Sequence, residues 1–102
     1  MNLNQIALIA DIVMVKVVYA HDEDHDVATS EDRDDGVYAD CLDAAMALSA
    51  GMDVQQIADT IMVKAVYGGR EGFVVTTEDR DHHEYGACLD AAQAILDGIG
   101  LT

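Results

Sequence analysis

The chain has 102 residues, twenty of them acidic and five basic, for a formal charge of −15. A surface of that charge repels nucleic acid and anionic membranes, both polyanions, and so excludes nonspecific binding to either. Half of the residues are apolar, which excludes a disordered polyelectrolyte and points to a single domain, 1–102, with one modest core.

The first segment, "IALIADIVMVKVVYA" from Ile6 to Ala20, is apolar but interrupted by Asp11 and Lys16. It is too short and too charged to span a bilayer and lacks the basic start and cleavage site of a signal peptide, so a cytoplasmic protein is expected. The run "HDEDHD" follows. His21, Asp22, Asp24, His25 and Asp26 place imidazoles and carboxylates close enough to be candidate ligands for a divalent cation. Asp22, Asp24 and Asp26 have the EF-hand spacing, yet Val27 stands where that loop needs Gly and Arg33 where it needs Glu. A solvated acidic loop is the better expectation, with no metal and no cofactor.

Val27–Ser30 reads as a short strand. "EDRD" (Glu31–Asp34) then leads into a helix over Asp34–Ala50 that contains "CLDAA", with Asp34 or Asp35 as its cap. After the turn "GMD", residues Val54, Ile57, Ala58, Ile61, Met62, Ala65 and Val66 recur at helical spacing up to Tyr67. Asp53 with Gln56 makes a capping box and Gly68-Gly69 a stop. The β-branched content of Ile12–Tyr19 and Ile61–Tyr67 supports the rival reading of strands in local hairpins. "FVVTT", Phe73–Thr77, reads as a second strand, and a second "EDRD" (Glu78–Asp81) opens the last helix. There Asp81 and Glu84 fit a D-x-x-E cap, Gly98 is the stop, and Tyr85, Cys88, Leu89, Ala92, Ile95, Leu96 and Ile99 form the buried stripe.

These elements are two copies of one unit. Ile9–Tyr19 and Ile57–Tyr67 share eight of eleven residues at an offset of 48, and Glu31–Gly51 and Glu78–Gly98 share twelve of twenty-one at 47. Repeat one covers about 3–51 and repeat two about 52–100. The predicted fold is α+β and mostly helical: a duplicated helix–short strand–helix unit with pseudo-two-fold symmetry, its strands paired in a small antiparallel ribbon on the axis. A duplicated α-β-β-α unit with local hairpins is the alternative. The arginine of each EDRD is expected to offset the acids around it or to pair with the sister copy.

The order strand (Val27–Ser30), helix (Asp34–Ala50), tight turn and helix (Val54–Tyr67) resembles the ribbon-helix-helix unit of small repressors and antitoxins, over about forty residues. That resemblance implies paired strands entering the DNA major groove. The family's strands carry basic or amide readers, whereas "VATS" and "FVVTT" carry no basic residue, and this chain opens with a helix where the family opens with its strand. The likeness therefore extends to architecture and not to DNA binding.

No catalytic constellation emerges. His82, His83 and Glu84 could exchange protons, but no nucleophile or oxyanion site accompanies them, and "GGREG" lacks the lysine and second half of a phosphate loop. Cys41 and Cys88 fall at equivalent places, in no CxxC pair, and are expected as buried free thiols. The expected function is that of a small acidic, non-enzymatic interaction protein. In its concrete form it is a nucleic-acid mimic, such as a phage-type inhibitor of a basic host defence protein. Asp40, Asp43, Glu84, Asp90 and Asp97 on helix faces, with Asp32, Asp34, Asp79 and Asp81 at helix starts, are its candidate partner-binding residues. The partner is a basic protein, with no direct contact to nucleic acid or membrane, and homo-oligomerisation stays open. A structural or dimerisation module with an acidic or halophilic surface is the alternative, and a divalent-cation binder the second.

Overall fold

Two long helices start with reciprocal caps. Helix α1 (Leu3–Val13) begins behind Asn2, whose side chain accepts from the Gln5 amide at 2.9 Å while the Gln5 side chain accepts from the Asn2 amide at 3.0 Å. Helix α4 (Val54–Ile61) begins behind Asp53, which forms the same box with Gln56 at 2.8 and 3.0 Å. Each box satisfies two amides that the first turn leaves without partners. The structure is a computed structural model and describes residues 2–20, 28–49, 51–68 and 75–98.

Both helices widen at the same place. Met14–Val18 and Met62–Val66 form π turns, closed by the Tyr19 amide on the Met14 carbonyl and the Tyr67 amide on the Met62 carbonyl, each at 3.0 Å. The hairpin alternative for Ile12–Tyr19 and Ile61–Tyr67 is therefore corrected to helix. β-Branched residues weaken a helix only modestly, and burial of Met14, Val17, Ile61 and Met62 outweighs that preference. Gly68, at φ 69°, ends the second of these helices in the left-handed conformation that favours glycine.

Among the described residues the expected ribbon is absent: they contain no strand, and the fold they form is helical rather than α+β. Ser30 opens a one-turn helix, α2 (Ser30–Arg33), and Thr77 opens its counterpart, α5 (Thr77–Arg80); Val27, Phe73 and Val74 lie outside the described residues. The physical reason is local. Thr29 and Thr76 accept from the amides of Asp32 and Asp79 at 3.3 and 3.4 Å, and those carboxylates accept in return from the threonine amides, both at 2.8 Å. A threonine followed three residues later by aspartate thus makes a helix start out of what reads as a strand end. The ribbon-helix-helix likeness loses its strand with it.

Helix α3 (Gly36–Ala47) is capped by Asp35, which accepts from the Val37 amide at 3.0 Å. In α6 (His83–Gly98) the equivalent position is His82, whose Nδ1 accepts from the Glu84 amide at 3.1 Å. The Asp81–Glu84 cap is therefore corrected: Asp81 closes α5, one residue too early to cap α6.

Helix α1 packs on α3 and α4 on α6; between copies, α1 meets α6, α3 meets α4, and each π turn meets the opposite copy's CLDAA helix. These reciprocal pairs are the pattern of an isologous contact. Ile9, Val13, Met14, Ile57, Ile61, Met62 and Ile95 fill the centre. They can do so because Cys41, Ala44 and Ala45 on α3, and Cys88, Ala91 and Ala92 on α6, are small and fully buried. The two thiols sit 3.9 Å from the Met14 and Met62 sulfurs. Burial, and secondarily nearby carboxylates, push both thiols up to about 12.

Ile57→Ala is expected to cost about 2–5 kcal/mol by leaving a cavity in this core, read as a fall in the denaturation midpoint. Cys41 and Cys88 are expected to resist alkylation in the native protein and to react only on unfolding. Rapid labelling under native conditions would contradict their burial.

Candidate functional site

The most organised polar structure in each copy is a carboxylate in the middle of an apolar helix. Asp11 of α1 accepts two hydrogen bonds from Arg33, at 3.2 Å from Nε and 2.7 Å from the terminal nitrogen, and a third from the Tyr38 hydroxyl at 2.7 Å. Asp59 of α4 repeats this with Arg80 at 3.3 and 2.7 Å and Tyr85 at 2.7 Å. The arginine of each EDRD therefore pairs within its own copy, not with the sister copy, and the one-turn helices carry it to the opposing helix. Burial acts to raise the Asp11 carboxyl, but hydrogen bonds from Arg33 and Tyr38 and the guanidinium charge outweigh it and hold the group below its ordinary value. Burial, then the hydrogen bond to the aspartate and its charge, push both Tyr38 and Tyr85 up to about 12. A carboxylate with three donors already in place is a structural anchor and not a poised base.

A second layer joins the π turns to the EDRD segments. The Tyr67 hydroxyl donates to Asp79 at 3.1 Å, and Tyr19 makes the corresponding hydrogen bond to Asp32. An extra residue per turn carries each tyrosine off the line of the preceding buried stripe and onto the one-turn helix.

The acids expected to meet a partner divide accordingly. Asp34, Asp43, Asp81, Asp90 and Asp97 are exposed, Asp40, Asp79 and Glu84 half-buried, and Asp32 buried. Asp32 and Asp79 are held by their capping boxes and tyrosines, and Asp97 accepts from the Gln93 amide group at 2.9 Å. Glu31 and Glu78, Asp34 and Asp81, and Asp43 and Asp90 are exposed at equivalent positions in the two copies. His21, Asp22, Asp24, His25 and Asp26 lie outside the described residues. Among the described residues no group of three His, Cys, Asp or Glu side chains could hold a metal ion, and no helix is long and apolar enough to cross a membrane.

Among the described residues, clefts open on the surface at two places of interest. One, of about 360 Å³, borders the Asp59–Arg80 pair and is lined also by Thr60, Val63 and Lys64. The other, of about 470 Å³, lies on the seam between the copies, where it is lined by Val17 and Val18 of one π turn, Val66 of the other and Tyr67 just after it, with Val37 and Glu84 at its sides. His82 also lines it, its ring edge-on to Tyr67 at 6.4 Å. The His83 ring stacks on His82 and approaches Glu84 at 3.4 Å.

The chain matches no protein-family model, no curated protein and no solved structure.

Sequence reasoning missed the Asp11 and Asp59 anchors. The available signal was an aspartate at the same place in both copies of an otherwise apolar "IAD" segment, with a repeated arginine and tyrosine to receive it.

Stability is expected to fall in two pH windows. Tyr38 and Tyr85 ionise at about 12 in the fold against about 10 free, and the thiols at about 12 against 9. A folded value above the free one means that stability is complete below pH 9–10 and is lost as pH climbs towards 12. Asp11 and Asp79 lie below their ordinary value, so their contribution is present above that value and is lost on acidification through the lower folded one. Tyr85→Phe should cost about 1.5–3 kcal/mol at neutral pH, as a hydrogen bond to a charged group, and should flatten the alkaline slope. An unchanged alkaline profile would show that Tyr85 does not carry it.

Proposed function

We propose that this chain is a non-enzymatic acidic interaction protein that docks on a basic, nucleic-acid-binding protein surface, acting there as a nucleic-acid mimic and hence as an inhibitor. One observation carries the reading: exposed acids recur at equivalent positions of the two copies while the described arginines are neutralised internally. Glu31, Asp34 and Asp43 are matched by Glu78, Asp81 and Asp90, and Arg33 and Arg80 are held by Asp11 and Asp59. The duplication therefore presents a paired array of negative charge with few opposing positive groups. A double helix also presents repeated charge, about one per 1.7 Å of its axis, on two symmetry-related strands. A defence protein of a host cell that grips nucleic acid through Lys and Arg is a fitting class of target.

The test is competition. The intact chain should displace duplex DNA from a basic DNA-binding domain, and its affinity should fall steeply as salt screens the contact within about 8 Å at physiological ionic strength. Asp43→Asn with Asp90→Asn should slow association by about tenfold at low salt while leaving the fold intact, because these exposed charges act chiefly by steering. Strong stabilisation of the fold by molar salt, with no competition at any ionic strength, would instead identify an acidic structural module adapted to salt.

A further inference from the structure

We infer that the cleft on the seam between the copies is an anchor for one arginine side chain of the basic partner, its alkyl stem against the valines and its guanidinium at Glu84. The inference rests on the function proposed above and adds a place to it.

The cleft is built by the departure from α-helical geometry that both copies share. Val17, Val18 and Val66 belong to the two π turns, and single π turns occur often at functional sites. Its volume, about 470 Å³, falls within the range of about 300–1,000 Å³ found for ligand sites, which join apolar walls to a few polar groups. Its two sides break the internal symmetry. Val37 and Glu84 occupy equivalent positions of the repeat, yet one is apolar and 36% exposed while the other is a half-buried carboxylate. An amphipathic mouth of this kind matches a side chain with a methylene stem and a cationic head. Among the described residues no cation of the chain fills it, since Arg33 and Arg80 are tied to aspartates and neither they nor Lys16 and Lys64 line it. The short-range polar partner of the Glu84 carboxylate is His83, at 3.4 Å, so an oxygen is left to receive a planar guanidinium. Arginine is also the cationic residue most often found to dominate an interface from such a pocket. The overall charge of −15 draws the head group in.

The experiment follows the valine methyl and backbone amide signals of the intact chain by NMR while an oligoarginine peptide, and separately n-butylguanidinium, is added. Both ligands are expected to shift Val17, Val18, Val37 and Val66 in a saturable way. Glu84→Gln should weaken both by about tenfold, and Asp90→Asn should leave butylguanidinium binding unchanged. If the peptide binds but moves only the α3 and α6 acids, or moves the cleft equally in the Glu84→Gln variant, the anchor is overturned while the acidic-surface reading stands. If neither ligand binds, both fall together.

Discussion

Each half of this protein is organised around a carboxylate that an apolar helix would ordinarily exclude. Asp11 and Asp59 stand in the face through which α1 and α4 meet the rest of their copies, and desolvating a charge there is tolerable only with close, well-aligned donors. Arg33 and Tyr38, or Arg80 and Tyr85, supply three such bonds to each aspartate. That requirement explains the one-turn helices, whose task is to hold an arginine at the right height. It explains the repeated phrase as well: Thr29 and Asp32, or Thr76 and Asp79, form the capping box that starts the turn, and the arginine follows immediately. In a chain with so many acids, Arg33 and Arg80 are each committed to one aspartate rather than left to moderate the surface charge in general. Each reaches across to the half-buried aspartate of its own copy.

Packing takes over where this wiring stops. The named long-range side-chain hydrogen bonds all stay within one copy, whereas the copies meet through alanines, thiols, methionines and branched side chains of α3, α6 and the π turns. Small residues on α3 and α6 let helices approach closely enough for Ile9, Ile57, Ile61 and Ile95 to interlock without large aromatics. The copies have diverged mainly outside both systems. Leu8 and Met46, both exposed, are matched by Gln56 and Gln93, and Asp35 by His82, which still provides an acceptor for the first turn of its helix.

The repeat, the long amphipathic segments and the burial of both cysteines were legible in the sequence because each depends on periodicity or on self-similarity, which a single chain displays directly. The stripe of Ile57, Ala58, Ile61 and Met62 is buried as its spacing implies, and Tyr85, Cys88, Ala92 and Ile95 likewise. The short helices were not legible. "VATS" and "FVVTT" have strand-like composition, and what decides their ends is a threonine hydroxyl and an aspartate oxygen meeting backbone amides, a preference that composition averages away. The π turns were hidden for a related reason, since "MVKVV" and "MVKAV" favour strand locally, and burial of Met14, Val17 and Met62 outweighs that preference. The partner of each arginine was missed because pairing across a two-fold axis and pairing within a copy are equally compatible with a repeated residue. The seam cleft depends on two equivalent positions lying side by side in space, which no linear reading provides.

The division between polar links inside a copy and apolar contacts between copies bears on how such a chain can be cut and rejoined. Severing the connection between Ala47 and Val54 would interrupt none of the named long-range polar links, and the seam that remained would be a self-complementary oily surface of the kind on which separate subunits assemble. The molecule is thus wired as two subunits on one string. A half-length ancestor with the same aspartate, arginine and tyrosine would already have possessed its complete internal network and would have lacked only a twin. Joining two such halves in one chain would free the seam faces to differ, as Val37 and Glu84 do, and so allow an asymmetric groove that no strictly symmetric pair could form.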